Sequence, residues 1–189
     1  MTGTTVASSV RGVNHLALVC SDMARTVDFY TGVLGFPLVK TVELPGGRGQ
    51  HFFFDIGAGS TLAFFWYPNA PEGVPGLTHQ GRITDPGGPV SAVASMNHVA
   101  FDVPPDQIEA ARERLIAAGI DCTPIVNHDD SDRGASREMH PGVFVRSVYF
   151  RDPDDISLEL AAWTKVFDES DVRHAPISTA TAAASASAG

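Results

Sequence analysis

A stretch of alternating residues, Val13-Asn14-His15-Leu16-Ala17-Leu18, returns 83 residues later as Met96-Asn97-His98-Val99-Ala100-Phe101. Alternation with a period of two is the signature of a half-buried strand. A helical pattern follows each copy. Met23, Val27, Tyr30 and Leu34 share one face after Ser21-Asp22, and Ile108, Ala111, Leu115 and Ala118 share one face after Asp106. Ser and Asp side chains accept the free N–H groups of a first helical turn. Gly35 and Gly119 suit the left-handed turn that ends a helix. Three short strands are predicted after each helix, at 38–44, 49–56 and 60–66, then at 123–127, 143–151 and 156–162. The unit is therefore β-α-β-β-β, used once in 11–66 and again in 96–163. A single four-stranded unit leaves one sheet face exposed. The pattern thus predicts an α+β fold in which two tandem βαβββ modules form a curved, barrel-like mixed sheet with the helices outside.

Residues 67–95 are rich in Pro and Gly without a period, and they read as a linker or lid. Residues 1–10 read as a flexible N-terminus. Residues 164–189 read as a disordered C-terminal tail, almost pure Ala, Ser and Thr in its last part.

The composition supports one core-forming domain built from these repeats. Of 189 residues, 43% are hydrophobic and 19% charged, which excludes a wholly disordered chain and a coiled coil. No run of 18 apolar residues occurs, so no membrane partner is expected. The first residues lack the basic and apolar regions of a secretory leader, and a cytoplasmic location is expected. Cys20 and Cys122 are too few for a disulfide framework and read as reduced thiols. The 22 acidic residues outnumber 13 basic ones, and the net charge of −9 argues against nucleic acid as a partner.

Strand parity places the candidate chemistry. If Leu16 and Leu18 face the helix, His15 and Ala17 face the other way; the same holds for His98 and Ala100 against Val99 and Phe101. In the last strand Glu159 shares a face with Ser157 and Ala161, opposite Leu158 and Leu160. Two histidines and a glutamate are thus expected to project into one concavity. A buried, unpaired carboxylate costs several kcal/mol, and a divalent cation shared with two imidazoles would remove that cost. Two His and one carboxylate suit Fe(II) chemistry with dioxygen, and also Mn(II) or Zn(II) as a Lewis acid. Laying Phe53-Phe54-Asp55-Ile56 on Tyr149-Phe150-Arg151-Asp152 sets Ala63 opposite Glu159, so the first module has no such acid. His51, His79, His128 and His174 read as surface residues. Half of the aromatic group Phe52, Phe53, Phe54, Phe64, Phe65 and Trp66 would form core, and the other half could line a pocket for an aromatic ring.

Val13-Asn14-His15, Asn97-His98 and the stretch from Tyr149-Phe150-Arg151-Asp152-Pro153 to Ser157-Leu158-Glu159 resemble the vicinal oxygen chelate superfamily over about residues 11–163. That superfamily includes glyoxalase I, fosfomycin-resistance transferases, bleomycin-resistance proteins and extradiol ring-cleavage dioxygenases. Asp155 stands where its turn motif usually has glycine. The ligand pattern is most similar to the extradiol enzymes, which implies His15, His98 and Glu159 as metal ligands. Their tyrosine ten residues before the Glu, and their histidine nine before that, correspond to Tyr149 and His140. The resemblance implies an Fe(II)-dependent dioxygenase acting on a small catechol-like diol and dioxygen. His140 would be the acid–base group and Tyr149 would orient a bound oxygen. Two other readings stay open. One is a redox-neutral lyase, isomerase or thiol transferase using Mn(II), Ni(II) or Zn(II). The other is a metal-free small-molecule binding protein. A homodimer is the partner that the resemblance implies.

Overall fold

The Asp22 carboxylate accepts the Arg25 amide at 3.0 Å and starts the first helix where its sequence position predicts. The computed structural model describes residues 9–80 and 91–176. β1 (His15–Cys20) leads into α1 (Met23–Val27), which widens into a π-helical turn, Asp28–Val33. The Leu34 amide closes that turn on the Phe29 carbonyl at 3.2 Å. β2 (Leu38–Leu44), β3 (Gly49–Asp55) and β4 (Thr61–Trp66) complete the first module. The second runs through β5 (Val99–Asp102), α2 (Ile108–Ala117), β6 (Val126–His128), β7 (Ala135–Ser136), β8 (Val145–Arg151) and β9 (Ser157–Trp163). The strand orders are β1-β4-β3-β2 and β5-β9-β8-β6-β7. β1 with β4 and β5 with β9 are parallel, so each sheet is mixed.

Two local differences have clear causes. The strand predicted at 123–127 forms only at Val126–His128, because Pro124 has no N–H to offer the ladder. Cys122 adds just an isolated bridge to Phe150. The second helix begins at Ile108, after a turn in which the Gln107 amide bonds the Pro104 carbonyl at 2.8 Å, and its N-cap carries no side-chain bond.

The larger difference concerns the barrel. The two modules form separate sheets, and no closed barrel exists among the described residues. A single apolar core joins Tyr30, Phe54, Leu62 and Phe64 of the first module to Phe101, Ile108, Phe150 and Leu158 of the second. The Phe36 and Phe101 rings meet edge to face at 5.0 Å. The helix-bearing faces of both sheets thus pack toward each other, driven by burial of these side chains at ~25 cal/mol per Å². The faces that carry His15 and Glu159 lie on the far side of their sheets from this core. Polar contacts reinforce the arrangement. The Tyr30 hydroxyl donates to Asp152 at 3.1 Å, and Asp154 accepts from Ser21 and Arg25.

Residues 164–176 fold back on the second module. Phe167 meets Trp163 and Phe144, and Arg173 pairs with Asp130 at 2.7 Å. The expectations for 1–8, for the middle of the linker at 81–90 and for 177–189 fall outside the described residues. No described helix is long and apolar enough to cross a membrane.

Asp155 adopts φ +63°, the left-handed conformation that explains the usual glycine in this turn. Its backbone carbonyl accepts from Arg151, so the turn itself does not need the side chain. Asp155→Gly should therefore raise stability by about 0.5 kcal/mol, the relief of strain being partly offset by unfolded-state entropy. Urea unfolding measures it; a loss of stability would mean that the Asp155 carboxylate has a role of its own.

Candidate metal centre

β9 lies between β5 and β8, and its register sets Ala100, Glu159 and Tyr149 abreast. The first module has Ala17, Ala63 and Phe53 at the equivalent places. The pairing therefore agrees with the alignment of the two halves. The second sheet carries an acid and a phenol where the first carries alanine and phenylalanine.

Glu159 is only 5% exposed. Its Oε2 lies 2.9 Å from His98 Nε2, and the imidazole is one-third exposed at the rim. Burial by itself would raise the Glu159 pKa. The neighbouring His98 and Ser147 side chains, together with His128, outweigh burial and hold the carboxyl below its usual range. Ser147 is fully buried beside it, and its hydroxyl has no hydrogen-bond partner among the described residues.

The second nitrogen of His98 decides what this pair can do. Nδ1 lies 2.6 Å from Asn97 Oδ1, and the Asn97 amide nitrogen donates to Ser91, which fixes the amide's orientation. Nδ1 must therefore carry the ring proton. Nε2 then turns a lone pair toward a carboxylate oxygen, and two electron-rich atoms at 2.9 Å need a cation between them. A second ring proton is one solution and a divalent metal is the other. The separation is that of two ligands about 2.1 Å from one ion at a right angle. The pair fits a metal.

His15 makes the corresponding contact, with Nδ1 2.8 Å from Asn14 Oδ1, and a proton on Nδ1 leaves Nε2 with a lone pair for a metal. It stands elsewhere, on the outer face of the first sheet. Among the described residues no three His, Cys, Asp or Glu side chains are grouped to hold a metal ion. The expected concavity shared by His15, His98 and Glu159 is thus not formed within one chain, because the core draws the opposite faces of the two sheets together.

Tyr149 is at the site, half-buried next to Glu159 and edge-on to the His98 ring at 6.0 Å. Burial, then the Glu159 charge, push its phenol pKa up. Its hydroxyl meets His128 Nε2 at 3.0 Å, and not His140. Both nitrogens of His140 are engaged within its own loop. Nε2 bonds Asp129 at 3.0 Å, and Nδ1 accepts the Gly142 amide at 3.1 Å. The Ser131 hydroxyl, followed by its amide and by His140, holds the Asp129 carboxyl below its usual range. His140 is thus bonded within its loop, and His128, read from the sequence as a surface residue, is the histidine that touches Tyr149. A signal existed. Ile125 packs on the core, so alternation puts Val126 and His128 on the Glu159 face.

The first sheet offers aromatic rings around His15. His51 lies flat on Phe65, with centroids 3.6 Å apart and planes 4° apart, and Phe65 lies parallel to Tyr67. Phe53 turns its edge between His51 and His15.

Comparison with known proteins extends this picture. Residues 12–160 match the family described as the Glyoxalase/Bleomycin resistance protein/Dioxygenase superfamily. The metallothiol transferase FosB of Shouchella clausii is 28% identical over 82% of this chain and 82% of its own. MhqO of Bacillus subtilis, provisionally named a ring-cleaving dioxygenase, is 30% identical over 59% of this chain but only 37% of its own. The fosfomycin resistance protein FosX of Listeria monocytogenes, solved with Mn(II) and sulfate, shares the fold at a TM-score of 0.52 and 20% identity, over 82% of this chain and 94% of that one. With two βαβββ modules, a paired Asn-His at the head of each and a match across both, the chain belongs to the Glyoxalase/Bleomycin resistance protein/Dioxygenase superfamily.

Proposed function

We propose that the protein is an Fe(II)-dependent extradiol-type ring-cleavage dioxygenase for a small catechol-like diol, and that two copies share each site. The observation that carries this reading is the pair of unfinished halves on one chain. His98 and Glu159 form a two-donor grip that lacks a third ligand. His15, with its Nδ1 on Asn14, lacks companions. A second copy laid across the outer faces supplies each half with the other. Such a pairing is self-complementary and gives two equal sites.

In this assembly His98, Glu159 and the second copy's own His15 hold the ion. Bound iron would bring diol and dioxygen to one centre and pass electrons between them. The chain's other residues handle the organic part. Phe53 and the His51–Phe65 stack supply flat apolar surface for an aromatic ring. Tyr149 meets a substrate oxygen beside the ion. Besides His98, Tyr149 and the buried Ser147 are polar groups beside Glu159. His140 keeps the loop beyond β6 folded next to the site.

A second reading draws on the likeness to FosB, which spans most of both chains. It is a redox-neutral thiol transferase, lyase or isomerase using Mn(II), Ni(II) or Zn(II). Oxygen uptake separates the two. Protein loaded anaerobically with Fe(II) and mixed with a panel of catechols is expected to consume oxygen in proportion to one of them. Turnover without oxygen consumption selects the second reading. If added metal leaves the melting temperature unchanged, a metal-free binding protein replaces both, because a ligand at a hundred times its Kd stabilises by about 2.7 kcal/mol.

A further inference from the structure

The cleft where the two modules meet the linker takes no part in the metal centre. Its volume is about 730 Å³, within the range of small-molecule sites. Its walls are the ends of β1 and β4, the linker at 67–79, and the turn at 154–156 between β8 and β9. Leu18, Met96 and Ile156 give it an apolar floor continuous with the core. None of His15, His98, Tyr149 and Glu159 lines it.

Two features define the molecule that would fit. The first is a buried imidazole. His79 lines the cleft and is only 8% exposed. Its Nδ1 lies 3.2 Å from the Gln80 carbonyl, which only accepts, so Nδ1 carries a proton. The other edge of the ring, Cδ2 and Nε2, faces Gly73, a second lining residue, where a Cβ would stand 3.9 Å from both atoms. Among the described residues Nε2 has no hydrogen-bond partner. A buried acceptor without a donor is costly, and a ligand that donates removes the cost. The second feature is charge. No lysine or arginine lines the cleft, whereas Glu72, Asp154 and Asp155 do. Asp154 is already paired with Arg25 at 2.6 Å. The Glu72 and Asp155 carboxylates have no partner among the described residues. Asp155 also stands in a left-handed turn that glycine would make with less strain. We propose that this cleft binds a small apolar molecule carrying a protonated amine, with its body on Leu18, Met96 and Ile156 and its ammonium donating to His79 Nε2 in the field of Glu72 and Asp155. Such a ligand touches both modules and the linker at once.

The test titrates three probes of similar shape, 2-phenylethylammonium, 2-phenylethanol and 3-phenylpropanoate, at pH 8, above the range in which imidazole ordinarily takes a second proton. Binding is read by ¹H–¹⁵N NMR from the two indole N–H signals, Trp66 lining the cleft and Trp163 at the end of β9, which Trp66→Phe assigns. The amine is expected to shift the Trp66 signal and leave that of Trp163 in place. It should bind about tenfold more tightly than the alcohol, and the carboxylate should bind most weakly. His79→Phe should weaken the amine about tenfold, the worth of one charged hydrogen bond. Asp155→Asn should weaken it about threefold and leave the alcohol unchanged. That second variant breaks no bond of the linker, so it decides the matter even where His79→Phe loosens the loop around it. Equal affinity for amine and alcohol overturns the inference, as does a shift confined to Trp163. So does the absence of any indole shift at about 10 mM amine, or an amine affinity unchanged in both variants. Neither Mn(II) binding nor oxygen uptake enters these measurements, so the dioxygenase reading stands or falls separately.

Discussion

Equal amounts of His15→Ala and Glu159→Ala protein, allowed to exchange subunits through refolding, should recover about a quarter of the wild-type Mn(II) sites, although neither variant alone binds at the wild-type level. The arithmetic follows from each site taking His15 from one copy and Glu159 from the other. In a mixed pair, one site loses both altered residues and the other keeps His15 from one copy and Glu159 from the other. Half of randomly formed pairs are mixed, and each contributes one complete site of two. Each variant alone should bind Mn(II) at least ~100-fold more weakly, since removing a group that merely supports a ligand already costs 10–100-fold. Titration calorimetry of the separate and mixed proteins measures both effects. If subunit exchange is verified and no sites return, the shared-site arrangement is wrong. If both variants bind as wild type does, His15 and Glu159 are not ligands.

Much of this was legible in the sequence, and what was not has a physical reason. Alternation around Leu16, Leu18, Phe101 and Leu158 correctly assigned the inward faces, and those residues line the core. The alignment of the halves predicted Ala63 opposite Glu159, and the strand registers agree. Alternation says which face is buried, but not what buries it. The same apolar stripes could close a cup or pack two modules back to back, and the choice depends on the total area that each option removes from water. Tyr30 illustrates the difficulty. Its helical spacing marks it as core, yet its hydroxyl reaches across to Asp152 of the other module, 122 positions away in the chain. That His128 and not His140 touches Tyr149 has a different origin. The spacing before Tyr149 matches the extradiol pattern, but the Asp129 carboxylate lies within reach and captures the His140 ring.

Asp152, at the contact between the modules, should by itself take away about 3 kcal/mol of stability as pH rises from about 4 to about 6. Asp152 occupies the turn between β8 and β9. Its Oδ1 accepts the Asp154 and Ile156 amides at 2.9 and 2.8 Å, and its Oδ2 accepts the Tyr30 hydroxyl at 3.1 Å. Burial outweighs these three donors and, with the nearby Asp154 charge, pushes the carboxyl up to about 6. Between the unfolded and folded pKa values the native state holds a proton that the unfolded state has released. Stability must therefore fall as pH climbs through that window, then level off once both states are ionised. Glu159 and Asp129 work in the opposite sense, because their folded pKa values are lowered and their contribution is lost on acidification. Asp152→Asn isolates the effect. Its amide oxygen still accepts both backbone N–H groups, and its NH₂ donates to the Tyr30 oxygen. The stability of Asp152→Asn relative to wild type should rise by about 3 kcal/mol between pH 4 and pH 7, as read from urea unfolding across that range. A flat difference would mean that the buried carboxylate is fully compensated by its three donors. The back-to-back packing, and with it the outward placing of His15 and Glu159, would then carry no electrostatic cost at neutral pH.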